Sequence, residues 1–294
     1  LSSVAAAGVE AGRAGVVRDL VALTKPRITA MVVFTTAGGL WVAPNRLPLV
    51  PSLAVVVATA MVVSAANALN CWLERDFDAL MNRTRRRPLA AGRLSPGLAV
   101  AFALGLAAVS LSVLTFAIEP LAGLLAFIAL VSYVWIYTPM KRMSSDSLLV
   151  GAVPGALPPL IGYAAATGTI DLPGIVLFSI LFVWQLPHFL AISILCRDDY
   201  ARAGYRVFSV SRGEEATKRW TVAWAVAQLA VSLLVLPLGM AGWLYGIVAT
   251  VAGVWFLADA VYGLRHGGLV WARRMMRGSL LYLAAIFTAL MVGA

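Results

Sequence analysis

The stretch Asn70-Cys71-Trp72-Leu73-Glu74-Arg75-Asp76-Phe77-Asp78, continued by Met81-Asn82-Arg83-Thr84-Arg85-Arg86-Arg87-Pro88, follows directly on an apolar run long enough to cross a bilayer. Only 12% of the 294 residues are charged, yet this stretch holds three acids and five arginines. Asn70, Glu74 and Asp78 recur at every fourth position, so a continued helix would line them along one face as a ladder of oxygen ligands. Asp76 would point away from that ladder. Hard oxygen ligands beside guanidinium groups suit a divalent cation carrying a phosphate or diphosphate. Charge placement at a membrane boundary explains the arginines. It does not explain the clustered acids, because ionisable groups at that depth are costly and usually functional.

Working outward, a hydrophobic content of 61% excludes a soluble globule, since ordinary soluble chains carry roughly twice this share of charge. Apolar windows fall at 22–43, 48–70, 97–117, 120–138, 147–167, 173–195, 219–237, 240–262 and 275–293. Each is near the ~20 residues that a membrane helix needs. The expected fold is all-α, a polytopic bundle of nine transmembrane helices around a central cavity open to the cytoplasmic side. Every Lys and Arg except Arg46 lies in the tail, at the start of the first span, or in the connections after the even-numbered spans. The positive-inside rule then sets the N-terminus in the cytoplasm and the C-terminus outside. The net charge of +10 has this membrane explanation and calls for no nucleic acid.

The first fifteen residues are rich in Ala and Gly, with no compact apolar core or cleavage site, and read as a loose cytoplasmic tail. We divide the chain into a tail at 1–19 and a single membrane domain at 20–294. Cys71 and Cys196 have no metal or disulfide spacing and read as small apolar residues.

Further constellations accompany the first. Asp198-Asp199-Tyr200 follows the sixth span as the first acidic cluster follows the second, four helices earlier and on the same membrane face. A four-helix unit used twice would set the two clusters opposite each other, where their carboxylates could share one or two Mg²⁺ ions. Tyr137-Thr138-Pro139-Met140-Lys141-Arg142 and Lys25-Pro26-Arg27 bring cations to the same end of the bundle, with prolines placed to aim them. Trp184-Gln185-Leu186-Pro187-His188-Phe189 contains the single histidine inside an apolar window, at a proline expected to open the helix by about a turn. That histidine suits either a haem contact or a bond to a backbone carbonyl. Gly151-Ala152-Val153-Pro154-Gly155-Ala156-Leu157-Pro158-Pro159 reads as an irregular helix lining a cavity.

Taken together, these motifs resemble the UbiA-type intramembrane prenyltransferase superfamily, and within it the protohaem IX farnesyltransferase branch. The superfamily pattern Asn-x3-Asp-x3-Asp is met by Asn70, Glu74 and Asp78, with Glu in place of the first Asp. The haem-directed branch is indicated by Met81, Arg83, Thr84, Arg87 and Pro88, by Tyr-Thr-Pro-x-Lys-Arg, by the run from Gly155 to Tyr163, and above all by Trp-Gln-x-Pro-His-Phe. Asp199, Tyr200, Ala203 and Gly204 match a further element. Two departures stand out: Ala203 replaces the second Asp of the second cluster, and Tyr205-Arg206-Val207-Phe208 replaces a Pro-rich continuation.

The resemblance implies transfer of a farnesyl group from farnesyl diphosphate to the 2-vinyl group of haem b, with addition of water, in the cell (inner) membrane. It implies Mg²⁺ as cofactor, held by Asn70, Glu74, Asp78, Asp198 and Asp199. Asn70, Glu74, Asp78, Asp199 and Lys141 are the expected catalytic residues. Arg83, Arg87, Arg142, Lys25 and Arg27 are expected at the diphosphate, and His188, Trp184 and Gln185 at the haem. Haem A synthase and terminal-oxidase assembly factors are the candidate protein partners. A quinone-directed prenyltransferase is the alternative within the superfamily. An anion transporter is the alternative outside it, but the far face offers little polar path beyond Arg46, Glu119 and Asp171.

Overall fold

The computed structural model describes residues 15–293, so the expected tail lies outside the described residues as far as residue 14. From Gly15 onward the chain is already helical: α1 (Gly15–Leu23) precedes α2 (Pro26–Val42), bent by 49° across a short break. Lys25 makes that break, with a left-handed φ of 50°, and Pro26 then starts α2 with φ preset. The remaining long helices are α3 (Leu49–Leu73), α5 (Pro96–Ser112, extended by a π-helical turn to Ile118), α6 (Pro120–Val131, extended by a second π turn to Tyr137), α8 (Ser147–Thr167), α9 (Leu172–Leu195), α11 (Phe208–Leu233), α12 (Trp243–Arg265) and α13 (Leu269–Gly293). Three short helices lie at one end: α4 (Arg75–Asp78), α7 (Thr138–Met140) and α10 (Arg197–Arg202).

Helix starts follow local chemistry. Ser95 caps α5 by accepting from the Leu98 amide at 3.3 Å, and Asp171 caps α9 by accepting from the Gly174 amide at 3.2 Å. Asp171 also accepts from the Tyr163 hydroxyl at 2.9 Å, which fixes the α8–α9 turn.

Among the described residues seven helices are long and apolar enough to cross a membrane, or eight if α1 and α2 form one span. The chain is a multi-pass membrane protein. The expected nine is not reached on length and composition, and the shortfall is α11. Its first half carries Arg212, Glu214, Glu215, Lys218 and Arg219, and Gly213 interrupts it at φ 79° and ψ 172°. Its apolar remainder, Trp220 to Leu233, covers about 21 Å at 1.5 Å per residue, against a hydrocarbon core of about 30 Å.

Among the described residues two large apolar cores form, beside a small cluster of Met81, Ala203 and Tyr205. One joins α3, α5 and α6 around residues such as Val55, Ala65, Leu114 and Leu125, and the other joins α9, α11, α12 and α13 around Ile180, Phe256, Trp271 and Phe287. They meet along α2 and α8, each of which contributes to both. This division agrees with a four-helix unit used twice. α2 and α8 approach backbone to backbone: a Cβ on Gly39 would overlap the Pro159 carbonyl, and one on Gly162 the Thr36 carbonyl. Small residues permit that approach in a membrane bundle.

The prolines do less than expected. α8 stays helical through Pro154, Pro158 and Pro159, and α9 through Pro187. Packing against neighbours on all sides holds these segments together, since both are buried over most of their length.

Candidate active site

α3 delivers Asn70 to the end of the bundle and stops three residues later. Glu74 sits at the break with φ −97° and ψ 3°, and α4 then carries Asp78. The oxygen ladder is therefore bent at its middle rung. All three side chains are buried, with Asn70 2%, Glu74 6% and Asp78 1% exposed, whereas Asp76 is exposed as its register requires.

Each rung meets a cation from a different part of the chain. Lys25 Nζ donates to Asn70 Oδ1 at 2.9 Å. Lys141 is ion-paired with Glu74 Oε1. Arg87 Nη1 reaches both Asp78 oxygens, at 3.0 and 2.7 Å. Asn70 Nδ2 links the rungs by donating to Glu74 Oε2 at 2.9 Å and to Thr138 Oγ1 at 3.1 Å. The π turn before Thr138 sets this hydroxyl and Lys141 toward the cluster, a common use of π segments near functional sites.

Burial by itself would raise the Glu74 carboxyl pKa, but the charge and hydrogen bond of Lys141, helped by Lys25, outweigh it and hold the group below its ordinary value. Burial would lower the Lys141 ammonium, and Glu74 reverses that and raises it. The pair is ionised on both sides.

The second acidic cluster behaves differently. Asp199 accepts from the backbone amides of Asn82 and Arg83 at 3.2 and 3.1 Å and from Arg202 at 3.0 Å. Arg83 also donates to the Tyr200 hydroxyl at 3.2 Å. Asp199 thus ties the loop after α4 to α10. Asp198 is exposed. Among the described residues no three His, Cys, Asp or Glu side chains gather as a metal-ligand group. The shared carboxylate cage expected between the two clusters is not assembled, because Asp199 is committed to backbone amides and Asp78 to Arg87. Asn70 and Glu74 do meet, through the Asn70 Nδ2 bond to Glu74 Oε2, and the donor types the ladder offers, an amide oxygen and carboxylates, fit a hard divalent cation chemically.

Of the other expected diphosphate residues, Arg142 lies over the Phe77 ring at 4.4 Å and Arg27 is exposed. Among the haem candidates, Trp184 Nε1 donates to the Ser279 carbonyl at 2.6 Å, and Gln185 Nε2 to the carbonyls of Leu181 at 3.0 Å and Ala152 at 3.3 Å. Their polar groups are spent inside the bundle. His188 stacks on Trp184 at 5.1 Å, and its Nδ1 pairs with Ser279 Oγ at 2.6 Å, which leaves Nε2 as its second polar atom. None of the three lines the cavity beside Lys141, which has a volume of 60 Å³ and is walled by Tyr137, Lys141, Phe189, Tyr200, Val207 and Phe208. A porphyrin is too large for this cavity.

Two participants escape a reading of the sequence. Thr138 is visible only as part of a proline-containing helix end. Tyr205, which departs from the expected motif, is 2% exposed with its hydroxyl buried, and the Lys141 ammonium lies 5.7 Å from its ring centroid. The Arg206 amide donates to the Lys141 carbonyl at 3.0 Å, so the loop after α10 is pinned onto the site.

The model of the UbiA prenyltransferase family matches residues 31–283. The chain is 52% identical to the protoheme IX farnesyltransferase of Anaeromyxobacter sp. (strain Fw109-5), covering 94% of each. Its fold is similar to a digeranylgeranylglyceryl phosphate synthase structure, with a TM-score of 0.79 at 16% identity over 94% of this chain and 98% of the other. It is also similar to a UbiA homologue from Archaeoglobus fulgidus bound to GPP and Mg²⁺, with a TM-score of 0.65 at 16% identity over 92% and 99%. The fold, the buried ladder and these likenesses agree: the chain belongs to the UbiA prenyltransferase family, alongside the protoheme IX farnesyltransferases.

Proposed function

We propose that this protein transfers the farnesyl group of farnesyl diphosphate to the 2-vinyl group of haem b, giving haem o and diphosphate. The C1–O bond of the farnesyl diphosphate breaks and the terminal vinyl carbon bonds to C1. Water adds its oxygen to the carbon next to the porphyrin and releases a proton. The observation that carries the reading is the buried ladder Asn70, Glu74 and Asp78, with Lys25, Lys141 and Arg87 each paired to one rung.

Asn70, Glu74 and Asp78 are the residues that would hold Mg²⁺. That ion, when bound, supplies positive charge to the diphosphate oxygens as the leaving group departs. Release of the three cations from their carboxyl and amide partners then frees Lys25, Lys141 and Arg87 to face the diphosphate. Their charge stabilises the transition state more than the ground state, because negative charge grows on the leaving group as C1–O breaks. Arg83, which donates to the Tyr200 hydroxyl, is assigned to the same group. The apolar walls exclude water from the allylic cation and accept its 15-carbon tail. His188, steadied by Ser279, is the candidate haem contact.

The lysine- and arginine-bearing end of the bundle is assigned to the cytoplasmic side of the cell (inner) membrane by the positive-inside rule. A haem A synthase or a terminal-oxidase assembly factor is the class of partner that would receive haem o. The test is to incubate purified protein with reduced haem b, farnesyl diphosphate and Mg²⁺ and to look by mass for the hydroxyethylfarnesyl haem. A prenylated quinone precursor, formed when one is supplied in place of haem, with no haem product, would favour the quinone-directed reading.

A further inference from the structure

On the outer face of α12 and α13 lies a groove of 390 Å³, walled by Trp255, Val270, Arg273, Arg274, Arg277 and Leu281, none of which belongs to the site at Glu74. This surface faces lipid: Val251, Val254, Trp255, Val270 and Leu281 are all exposed large apolar side chains. Three arginines in such a surface need an account. Arg274 has one, since it donates to Asp259 at 2.7 Å and lies 4.7 Å over the Tyr262 ring. Arg273 and Arg277 form no ion pair among the described residues. They stand four positions apart, one above the other on the same helix face, with side chains about 5–6 Å apart at Cβ. Arg273 lies just before the last apolar window, 275–293, and Arg277 at its start, so both stand at the level where a lipid head group meets the bundle.

The groove is shaped as well as charged. Gly278 forms its floor: a Cβ there would come within 3.1 Å of the Trp255 ring, so the missing side chain lets the indole stand beside α13 as a wall. Two uncompensated guanidinium forks at one end and an indole with Leu281 at the other match a molecule with a phosphate at its head and hydrocarbon behind it. Basic pockets between membrane helices on the cytoplasmic side recognise phospholipid head groups by this chemistry. We infer that this groove binds one anionic phospholipid, its phosphate held between Arg273 and Arg277 and an acyl chain laid against Trp255 and Leu281. Snorkelling alone would send each arginine to the interface independently, with no use for the apolar wall.

Native mass spectrometry of the full-length protein in detergent tests this, with phosphatidylglycerol or phosphatidylcholine of matched acyl chains as the probe. The expected result is retention of one phosphatidylglycerol in preference to phosphatidylcholine. Affinity should fall at least tenfold in R273Q/R277Q and measurably in W255A, which keeps every charge. R85Q/R86Q removes the same charge from the exposed loop after α4 and is expected to leave retention unchanged. Equal retention of the two lipids, or equal loss in R85Q/R86Q, overturns the inference. So does thermal stabilisation by inorganic phosphate equal to that by phosphatidylglycerol, which would make the groove a free-anion site.

Discussion

Arg87 reaches both carboxylate oxygens of Asp78 from nine residues away, at 3.0 and 2.7 Å, and buries that acid to 1% exposure. A buried charge is costly unless it is paired, and the Arg87 guanidinium is the partner of this one. The same contact closes the loop between α4 and α5 over the end of the ladder, and Thr84 adds to it by donating to the Asp78 carbonyl at 2.9 Å. Asp78 therefore holds the loop, and in the proposed reaction it has a second task, offering oxygen to a cation.

Asp78→Asn separates them. The amide keeps the shape and one acceptor but removes the charge. Farnesyl transfer is expected to fall by about 10²–10³, the range for loss of one electrostatic contributor to a transition state. The protein should still insert and melt cooperatively. Product formation measured by mass, beside a melting curve, checks both, and near-normal turnover would remove Asp78 from the proposed metal set.

Glu74 and Lys141 form a buried, ionised pair, so removing one partner alone should cost more than removing both. Lys141→Met leaves the Glu74 charge without its counterion and is expected to cost about 3–5 kcal/mol of stability. Glu74→Gln/Lys141→Met should recover much of that loss while remaining inactive. Comparing single and double variants by denaturation measures the coupling. Simple additivity would show that the pair is not coupled in the folded protein. Glu74→Asp, which restores the superfamily pattern, is expected to retain activity but with a longer reach to Lys141.

Asp199 predicts a pH effect. Burial would raise its carboxyl pKa, but the amides of Arg83 and Asn82, with Arg202, lower it below the ordinary value. A depressed folded-state pKa adds stability that is present above the unfolded value, about 3.9, and is lost as pH falls through the folded value. Limited proteolysis of the loop after α4 should therefore accelerate on acidification below about pH 4. Asp199→Asn should already be more open at neutral pH and should show a smaller acid response. An unchanged acid profile in that variant would detach Asp199 from the loop.

His188 and Ser279 test the haem side. His188→Ala is expected to raise the KM for haem about tenfold or more, the loss of one hydrogen-bonded or ligating contact, with the KM for farnesyl diphosphate unmoved. Ser279→Ala, which frees Nδ1, should move the haem KM in the same direction by less. Equal haem KM values in all three proteins would leave His188 as packing against Trp184.

Much was legible in the residue order. Hydropathy and the one-sided distribution of Lys and Arg place the chain in a membrane as a helical bundle, because a bilayer acts on the chain one segment at a time. The periodicity of Asn70, Glu74 and Asp78 identifies the ladder, since neighbours four apart on a helix share a face whatever the rest of the protein does. Asp76 was set aside on the same ground and is exposed. Local reasoning failed where neighbours intervene. It opened α9 at Pro187 and made α8 irregular, whereas packing keeps both helical. The count of α11 as a membrane span is not confirmed on length and composition, since that helix is polar along its first half.

Tertiary structure alone decided which cation meets which acid. Lys25 is 45 residues from Asn70, and the Asn82 amide is 117 from Asp199. No sequence period connects residues so far apart. Buried charges must be paired, but the chain's order does not state the partner. The fold made Asp199 a tie between loops, spent Trp184 and Gln185 on backbone carbonyls, and brought Tyr205 against Lys141. The residue order determined what chemistry this end of the bundle can perform. Packing determined which residues are free to perform it.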